Sequence, residues 1–579
     1  MKAEVRDANF RNPSFRNPSF TELYTPKLVT VLREGYGLDK LKADVLAGLT
    51  VAIVALPLSM AIAIASGVTP DRGLYTSIVG GFVISALGGS RFQIGGPAGA
   101  FIVLVAAAVR QHGLDGLLLA TFMSGLILLA VGVLRLGTFI KYIPYPVTVG
   151  FTSGIAIIIF SSQIKDLLGL TLQGAEPGPI IAKFQALGAA LPTFNLSAAA
   201  VALLTIGVVV GVRRLRPHWP AFLIGTVVAA LLVWLMGLPV ETLGTRFGGI
   251  PRSLPAPALP AFSLGKAIDL LPTALAFALL GGIESLLSAV VADSMTGRRH
   301  RSNAELVAQG LANIASSLFG GICVTGAIAR TATNIRAGSR GPVSGILHSA
   351  FVLAFMLIAA PLASYIPLAA LAAILAVVCW NMAERHQFAT LVRASAGDAA
   401  VVTVTFLVVV FRDLTEGILT GFTLGSLLFL HRMSQAVEVE PLRPIAEPDM
   451  ADANGTTEPP PYDLILASNP DIVAYRISGA FFFGAAATVA AALDSIGEHP
   501  KAYLIDFSAV PVIDSTAAAT IHGVVRKAAR GKASVQIVGA RPAVLKVLLA
   551  HGVRPPLVHY KAHLAEAVKA VEGDRSAGS

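Results

Sequence analysis

The sequence predicts a polytopic α-helical membrane protein followed by a small α/β domain. Three observations carry this. The 579-residue chain is 54% hydrophobic and only 13% charged, where soluble proteins average about 25% charge, and its mean hydropathy is +0.71. Apolar runs recur, among them VTVGFTSGIAIIIFSS (147–162), AFLIGTVVAALLVWLMGL (221–238) and AVVTVTFLVVVF (400–411), each able to cross most or all of a hydrocarbon core that takes roughly 20 helical residues. That character stops at an acidic, Pro-rich stretch, after which strand and helix patterns alternate.

Residues 1–43 are polar and basic, and the first apolar run starts near Val45, so 1–43 reads as a cytoplasmic N-terminal segment and not a signal peptide, and the first apolar segment is expected to act as an uncleaved anchor. The transmembrane domain is expected over 44–435. Within it, Lys and Arg gather in short polar gaps: VLRLGTFIKY (133–142), VRRLRPH (212–218), TGRRHR (296–301), RAGSRGP (336–342) and ERHQFATLVR (384–393). On a count of about fourteen spans, these gaps fall on one side, which the positive-inside rule makes cytoplasmic; both termini then lie inside. The net charge of +10 is therefore a topology signal, and no nucleic-acid partner is expected. Cys323 and Cys379 lie in apolar sequence and read as free buried thiols. No metal or cofactor is expected. No G-x-x-x-x-G-K-[ST] loop occurs, so ATP does not power the chain directly, and no hydrolase constellation marks an enzyme.

Residues 436–461 read as a linker. Beyond it, DIVAYRI (471–477), AYLIDF (502–507) and SVQIVG (534–539) are expected strands. FFGAAATVAAALDSIGEH (482–499), DSTAAATIHGVVRKAARG (514–531) and RPAVLKVLLAHG (541–552) are expected helices. Together they make a small α/β domain over 462–572 with a tail at 573–579.

The apolar region carries a weak internal symmetry. SALGGSRFQIGGPAGAFIVL (85–104) and SLFGGICVTGAIARTATN (317–334) align Gly88-Gly89 with Gly320-Gly321. Matched Gly-interrupted apolar segments in two halves point to a secondary transporter's binding site. We read 326–338 as a half-helix starting at membrane depth and facing a partner at 96–109. Unpaired N–H groups at two facing helix starts form an anion site, and small side chains let a ligand approach the backbone. The competing reading is a pair of Gly/Ala packing seams. The run 274–292 contains one charged residue, Glu284, with Ser288 one turn on. A lone ionisable group there is costly and usually functional. It carries a proton, holds a cation such as Na⁺, or is a structural carboxylate bonded to neighbouring backbone. Arg330 either complements an anionic substrate or pairs with a carboxylate as scaffold.

The run IESLLSAVVADSMTGRRHRSNAELVAQGLANIASSLFGGICVTGAIARTATNIRAG (283–338) closely resembles the SulP, or sulfate permease, family, kin of solute-carrier family 26. ALPLSMAIAIASGVTPDRGLYTS (55–77), GGPAGAFIVL (95–104) and a STAS-like IDSTA (513–517) fit the same family. The resemblance implies about fourteen transmembrane helices in two inverted seven-helix repeats, a core domain moving against a gate domain by alternating access, and a homodimer in the bacterial cytoplasmic membrane. It implies substrates among sulfate, bicarbonate, chloride and C4-dicarboxylates. By position it places the anion site at Leu58 and Ile62, at Ala98 and Gly99, and at Gly326, Ala327, Ile328, Ala329 and Arg330, with coupling at Glu284 and Ser288. Sodium-coupled bicarbonate members tend to carry Asp and Thr at those last two positions, so the longer acid looks closer to the proton-coupled and dicarboxylate branch. Leu58 stands where some members have a polar side chain. Asp514-Ser515-Thr516 resembles the phosphorylatable motif of anti-sigma-factor antagonists, though Ala517 follows where those commonly have Gly. Ser515 is a regulatory candidate or simply opens a helix, and the STAS domain offers a surface for a cytoplasmic protein partner. The expected function is proton-coupled anion symport, with Na⁺-coupled bicarbonate transport as the alternative. A nucleobase transporter and a membrane-anchored regulatory protein are the competing classes.

Overall fold

The computed structural model describes residues 23–138, 144–174, 176–216, 219–412, 414–441, 472–494, 501–531, 533–564, 566–567 and 570. Parts of several expectations lie outside the described residues: most of the N-terminal segment (1–22), most of the linker (442–461), the end of the helix expected over 482–499, and the tail 573–579. The chain divides into two compact units, residues 1–422 and 423–579.

The first unit opens with a short helix α1 (Lys27–Arg33) and then α2 (Leu38–Ala65). The first membrane helix thus begins several residues before the expected boundary at 44, because Asp39, Lys40 and Lys42 sit in its opening turns. Next come α3 (Pro70–Tyr75), a π turn (Thr76–Gly80) and α4 (Gly81–Leu87). Strand β1 (Gly95–Gly96) follows, then a 3₁₀ turn (Gly99–Phe101) leading into α5 (Ile102–Val133). Gly113, at φ +67° and ψ −171°, breaks α5 in two. The half proceeds through α6 (Tyr145–Leu168), α7 (Ile180–Ala189), α8 (Leu196–Leu215) and α9 (Ala221–Met236).

After α10 (Leu243–Phe247), the second half opens with α11 (Leu264–Thr296) and α12 (Ser302–Leu318). Strand β2 (Thr325–Gly326) leads into α13 (Ile328–Arg336) and α14 (Val343–Ala363). Then come α15 (Leu368–Met382), α16 (Arg385–Ala394), α17 (Ala396–Phe411) and α18 (Leu414–Gln435). Seven helical stretches are each long and apolar enough to cross a membrane, and shorter apolar helices accompany them. Taking α3–α4 as one segment and the two arms of α5 as two, and leaving aside the short α1, α7, α10 and α16, the described helical segments up to Gln435 number fourteen, seven in each half.

Packing separates two groups. Helices α2, α4, α5, α11, α12, α13 and α14 pack on one another, with α12 against α5 the most extensive pair. Helices α6, α8, α9, α15, α16 and α17 form the other group, joined to the first mainly through α2. Cys323 and Cys379 are free and buried as expected, and Cys323 Sγ lies 3.3 Å from Thr121 Oγ1.

The second unit is a five-stranded sheet of order β3-β4-β5-β6-β7, made of β3 (Glu438–Pro441), β4 (Ile472–Ser478), β5 (Ala502–Asp506), β6 (Ser534–Val538) and β7 (His559–Lys561). It carries helices α19 (Phe483–Asp494), α20 (Ser515–Arg530) and α21 (Pro542–Ala550). β3 is antiparallel to β4 and the rest run parallel. The stretch expected as linker therefore begins with a strand: EVEP is charged, short and Pro-ended, which suits an edge strand as well as a linker. β7 was not expected either.

Candidate functional site

The two half-helix starts meet over a two-residue antiparallel ladder, Gly95 opposite Gly326 and Gly96 opposite Thr325. Ala327 N extends it by donating to Ile94 O at 2.9 Å. The expected half-helices thus face each other, with later starts: α13 begins at Ile328 and not 326, and its partner opens with the 3₁₀ turn at Gly99. The cap residues Ala98 and Ala327 are extended, and neither supplies a capping side chain. First-turn N–H groups of a helix have no partner within it, so both starts present bare donors, and the helix dipoles add positive potential there.

The buried face of α13 holds its counterpart in place. Thr331 Oγ1 accepts from Ile94 N at 3.1 Å, Asn334 Nδ2 donates to Phe92 O at 2.9 Å, and Arg330 Nη2 donates to Pro97 O at 3.3 Å. Arg330 is 1% exposed and also donates to Ser77 Oγ (3.1 Å, from Nη1) and Ser59 Oγ (3.0 Å, from Nη2), while those two hydroxyls lie 2.8 Å apart. The carboxylate partner of the scaffold reading is not seen: the partners of Arg330 are neutral oxygens, and among the described residues no carboxylate pairs with it. The guanidinium is thus an unneutralised positive charge directly behind the half-helix starts.

Helix α11 braces the same ladder. Ser285 Oγ lies 2.6 Å from Thr325 Oγ1 and 3.3 Å from Gly326 N, and Gln93 Nε2 donates to Ser285 O at 3.0 Å. Ser288 Oγ donates to Thr331 Oγ1 at 3.1 Å and is fully buried; its hydroxyl supports α13. Glu284, one residue from Ser285, is half-buried and hydrogen-bonds nothing among the described residues, which argues against a carboxylate locked onto backbone.

The expected site residues divide accordingly. Leu58, Ile62 and Ala98 are buried in one apolar cluster with Phe101 and Ile159. Gly99 and Ala327 are partly exposed, and Ile328 and Ala329 are exposed. Gly326 lies under Gln93: a Cβ there would fall 1.4 Å from Gln93 Nε2, so its missing side chain admits Gln93. Gly96 likewise admits Arg330, whose Nη1 lies 1.8 Å from where a Cβ would be.

Sequence reasoning missed the opposite wall. A Cβ on Gly99 would lie 3.3 Å from Met382 Sδ and 4.0 Å from Ile159 Cδ1, so α15 and α6 close over the first half-helix start. Just beyond Met382, Glu384 breaks the helix at φ +37°, an uncommon conformation for a residue with a side chain, and Ser153 Oγ donates to Ala383 O at 2.8 Å. The supporting Ser59, Ser77, Gln93, Thr331 and Asn334 were missed too. Their signal was a polar side chain inside apolar sequence. In the second unit, Asp514 is the cap of α20: its Oδ1 accepts from Ala517 N and its Oδ2 from Phe483 N, both at 2.9 Å. Ser515 is exposed at the first helical position; it opens the helix, and its neighbour caps it.

Comparison with known proteins agrees with this architecture. The Sulfate permease family matches residues 41–405, and the STAS domain matches residues 463–567. YvdB of Bacillus subtilis, provisionally named a sulfate transporter, is 41% identical over 87% of this chain and 93% of its own length. The bicarbonate transporter BicA of Synechocystis is 32% identical over 86% of this chain and 88% of its own. Murine solute carrier 26 family member A9, solved in an inward-facing state, superposes with a TM-score of 0.83 over 99% of this chain and 96% of that one at 20% identity, which shows the shared fold. The transmembrane domain of a cyanobacterial BicA superposes with a TM-score of 0.59 at 31% identity, covering 67% of this chain and 98% of its own. The chain belongs to the sulfate permease family, whose members are transporters and not enzymes, and it carries that family's membrane fold together with a STAS domain.

Proposed function

We propose that this chain is a secondary active transporter of a small oxyanion, sulfate or bicarbonate, working by alternating access. The observation that carries the reading is the pair of uncapped half-helix starts on the β1–β2 ladder, backed by the unpaired charge of Arg330. Bare N–H groups at membrane depth need a partner, and an oxyanion supplies several acceptors at once. Its relatives' names, sulfate transporter and bicarbonate transporter, point to the same class of cargo. The substrate accepts from the backbone at Gly99 and at Ile328 and Ala329, past the small side chain of Ala327, with Leu58 and Ile62 as apolar wall. Arg330 acts on it through its field and by fixing the strands.

Glu284 is the coupling group in this reading. Its carboxylate has no hydrogen-bond partner among the described residues and lies on the helix that braces the ladder, where a proton would be taken up as the anion enters. Neutralisation removes a repulsive charge, and one proton then accompanies the anion inward. A C4-dicarboxylate would also suit two facing helix starts. The second reading is Na⁺-coupled bicarbonate transport; the similarity to the bicarbonate transporter BicA supports its choice of cargo. We further infer a homodimer in the bacterial cytoplasmic membrane with both termini inside, and a STAS domain that modulates transport or receives a protein partner. The test is uptake into liposomes under an imposed pH gradient, with and without Na⁺, against competing sulfate, bicarbonate, succinate, fumarate and aspartate. Accumulation driven by the pH gradient and indifferent to Na⁺ supports proton coupling. A strict Na⁺ requirement overturns it in favour of the second reading.

A further inference from the structure

The first unit holds a basic cleft away from the half-helix ladder. It is lined by Lys27 of α1, Arg91 of the loop after α4, and Thr296 and the exposed Gly297, Arg298 and Arg299 where α11 ends; this open cleft has a volume of about 440 Å³, room enough for a small ligand group. Its walls are fixed by contacts spread over the sequence. Lys27 N donates to Gly88 O at 2.9 Å, and Arg301 N donates to Gly89 O at 3.0 Å. Arg301 Nη1 donates to Thr25 O at 2.6 Å and to Thr30 Oγ1 at 3.1 Å. α1 is thus tied to the start of α12 and to the loop that carries Arg91, so the cations converge on a preformed space.

The nearby carboxylates are already engaged. Glu34 pairs with Arg91, and Asp293 Oδ2 accepts from both the backbone N and Nδ1 of His300, at 3.0 and 2.7 Å. Lys27, Arg298 and Arg299 have no ion-pair partner among the described residues. The end of α11 attracts cations through its dipole, but that end carries only about half a unit of negative charge, too little to balance three. The crowding registers on Lys27, whose pKa is held below its ordinary value by burial and then by Arg301 and Arg91, with Asp293 and Glu34 opposing.

We propose that this cleft is a binding site for a phosphate group, carried either by an anionic phospholipid headgroup or by a soluble phosphate compound. The planar guanidinium groups of Arg298 and Arg299 suit bidentate contact with phosphate oxygens, Lys27 adds a compact charge, and Arg91, paired with Glu34, completes the wall. The cleft lies where the polar gap TGRRHR follows the apolar helix α11.

The experiment uses the full chain in nanodiscs and reads thermal unfolding. One arm compares phosphatidylcholine discs with discs containing phosphatidylglycerol; the other adds inorganic pyrophosphate to phosphatidylcholine discs. Wild type, Lys27→Gln, the double variant Arg298→Gln/Arg299→Gln and the control Arg252→Gln, an exposed basic residue outside the cleft, are run in parallel, with size-exclusion chromatography verifying fold. Wild type and the control should be stabilised in at least one arm, reversibly by salt. Each lost charge should weaken the half-maximal response roughly fivefold, so about 25-fold for the double variant. Stabilisation by phosphatidylglycerol alone assigns the site to lipid, and stabilisation by pyrophosphate assigns it to a soluble phosphate. Absence of stabilisation in both arms, or cleft variants that respond as the control does, overturns the proposal.

Discussion

The two half-helix starts have the same backbone plan and opposite means of support. The first, from Gly95 to Phe101, contributes no polar side chain to its own geometry; the second brings Thr325, Arg330, Thr331 and Asn334. Nearly everything that fixes the first comes from the second half of the chain: Thr331 holds Ile94, Asn334 holds Phe92, and Arg330 holds Pro97. The difference teaches a division of labour. The backbone at both starts offers donors to an anion, while the side chains of α13 and α11 keep those donors aimed at one place. Such preorganisation spares the ligand the cost of ordering the site.

The sharpest way to break this comparison is to remove its keystone. Arg330→Ala deletes three hydrogen bonds from a charged donor, each worth roughly 1.5–3 kcal/mol, and leaves Ser59, Ser77 and Pro97 O without their guanidinium. Transport should be lost and the unfolding midpoint of the membrane unit should fall. A variant with wild-type melting and uptake contradicts the scaffold role. Next in size is Ala327→Phe or Ala329→Phe. Both positions retain exposure beside the ladder, so a ring there should abolish uptake while the protein elutes and melts as wild type. Normal flux in both variants removes α13 from the anion path.

Gly326→Ala sharpens the comparison because its clash has one named partner. Overpacking costs about 1–3 kcal/mol, and uptake should fall roughly tenfold. Adding Gln93→Ala should restore part of it, and no rescue would mean that the close approach is not what Gly326 serves. Glu284→Gln acts on coupling alone. Exchange should persist while accumulation under a pH gradient disappears; an unchanged gradient response dismisses Glu284 as the proton carrier.

The smallest effect belongs to the STAS unit, where polar pairs sit near water. Burial raises the Asp506 pKa, but hydrogen bonds from Ser508 and Arg476 outweigh it and hold the carboxyl below its ordinary value. A depressed pKa contributes stability above the unfolded value of about 3.9, and that contribution is lost as pH falls through the lower folded value. Arg476 is 43% exposed, so solvent screens the pair and the effect is modest. Calorimetry of the full chain should show the STAS transition of wild type losing more between about pH 5 and pH 3 than that of Arg476→Gln. Parallel curves would rule the pair out.

Much of this was legible in the sequence because it is local. Hydropathy marks the spans, and the Gly/Ala/Thr composition of 320–334 marks a segment that a lipid-facing helix would not tolerate. Glu284 stands out as the lone charge of its run. What stayed hidden depends on residues far apart in the chain. Arg330 finds Ser59 and Ser77 across more than 250 residues, and no local pattern says that its partners are hydroxyls and not a carboxylate. A small residue such as Gly326 means either ligand or neighbour, and only the fold reveals Gln93. Met382 and Ile159 sit in ordinary apolar helices, and their place over Gly99 is a property of the assembled helices. The EVEP strand was unreadable because an edge strand with charges and a proline has a linker's composition.

The central claim, that backbone donors at the two facing helix starts bind the transported anion, is tested most directly by an experimental structure of the full chain saturated with that anion. The account predicts density within hydrogen-bond distance of the N–H groups following Ala98 and Ala327, with Arg330 still bonded to Ser59, Ser77 and Pro97 O. Anion density on the Arg330 guanidinium with those bonds broken, or elsewhere in the membrane unit with the helix starts empty, would contradict it.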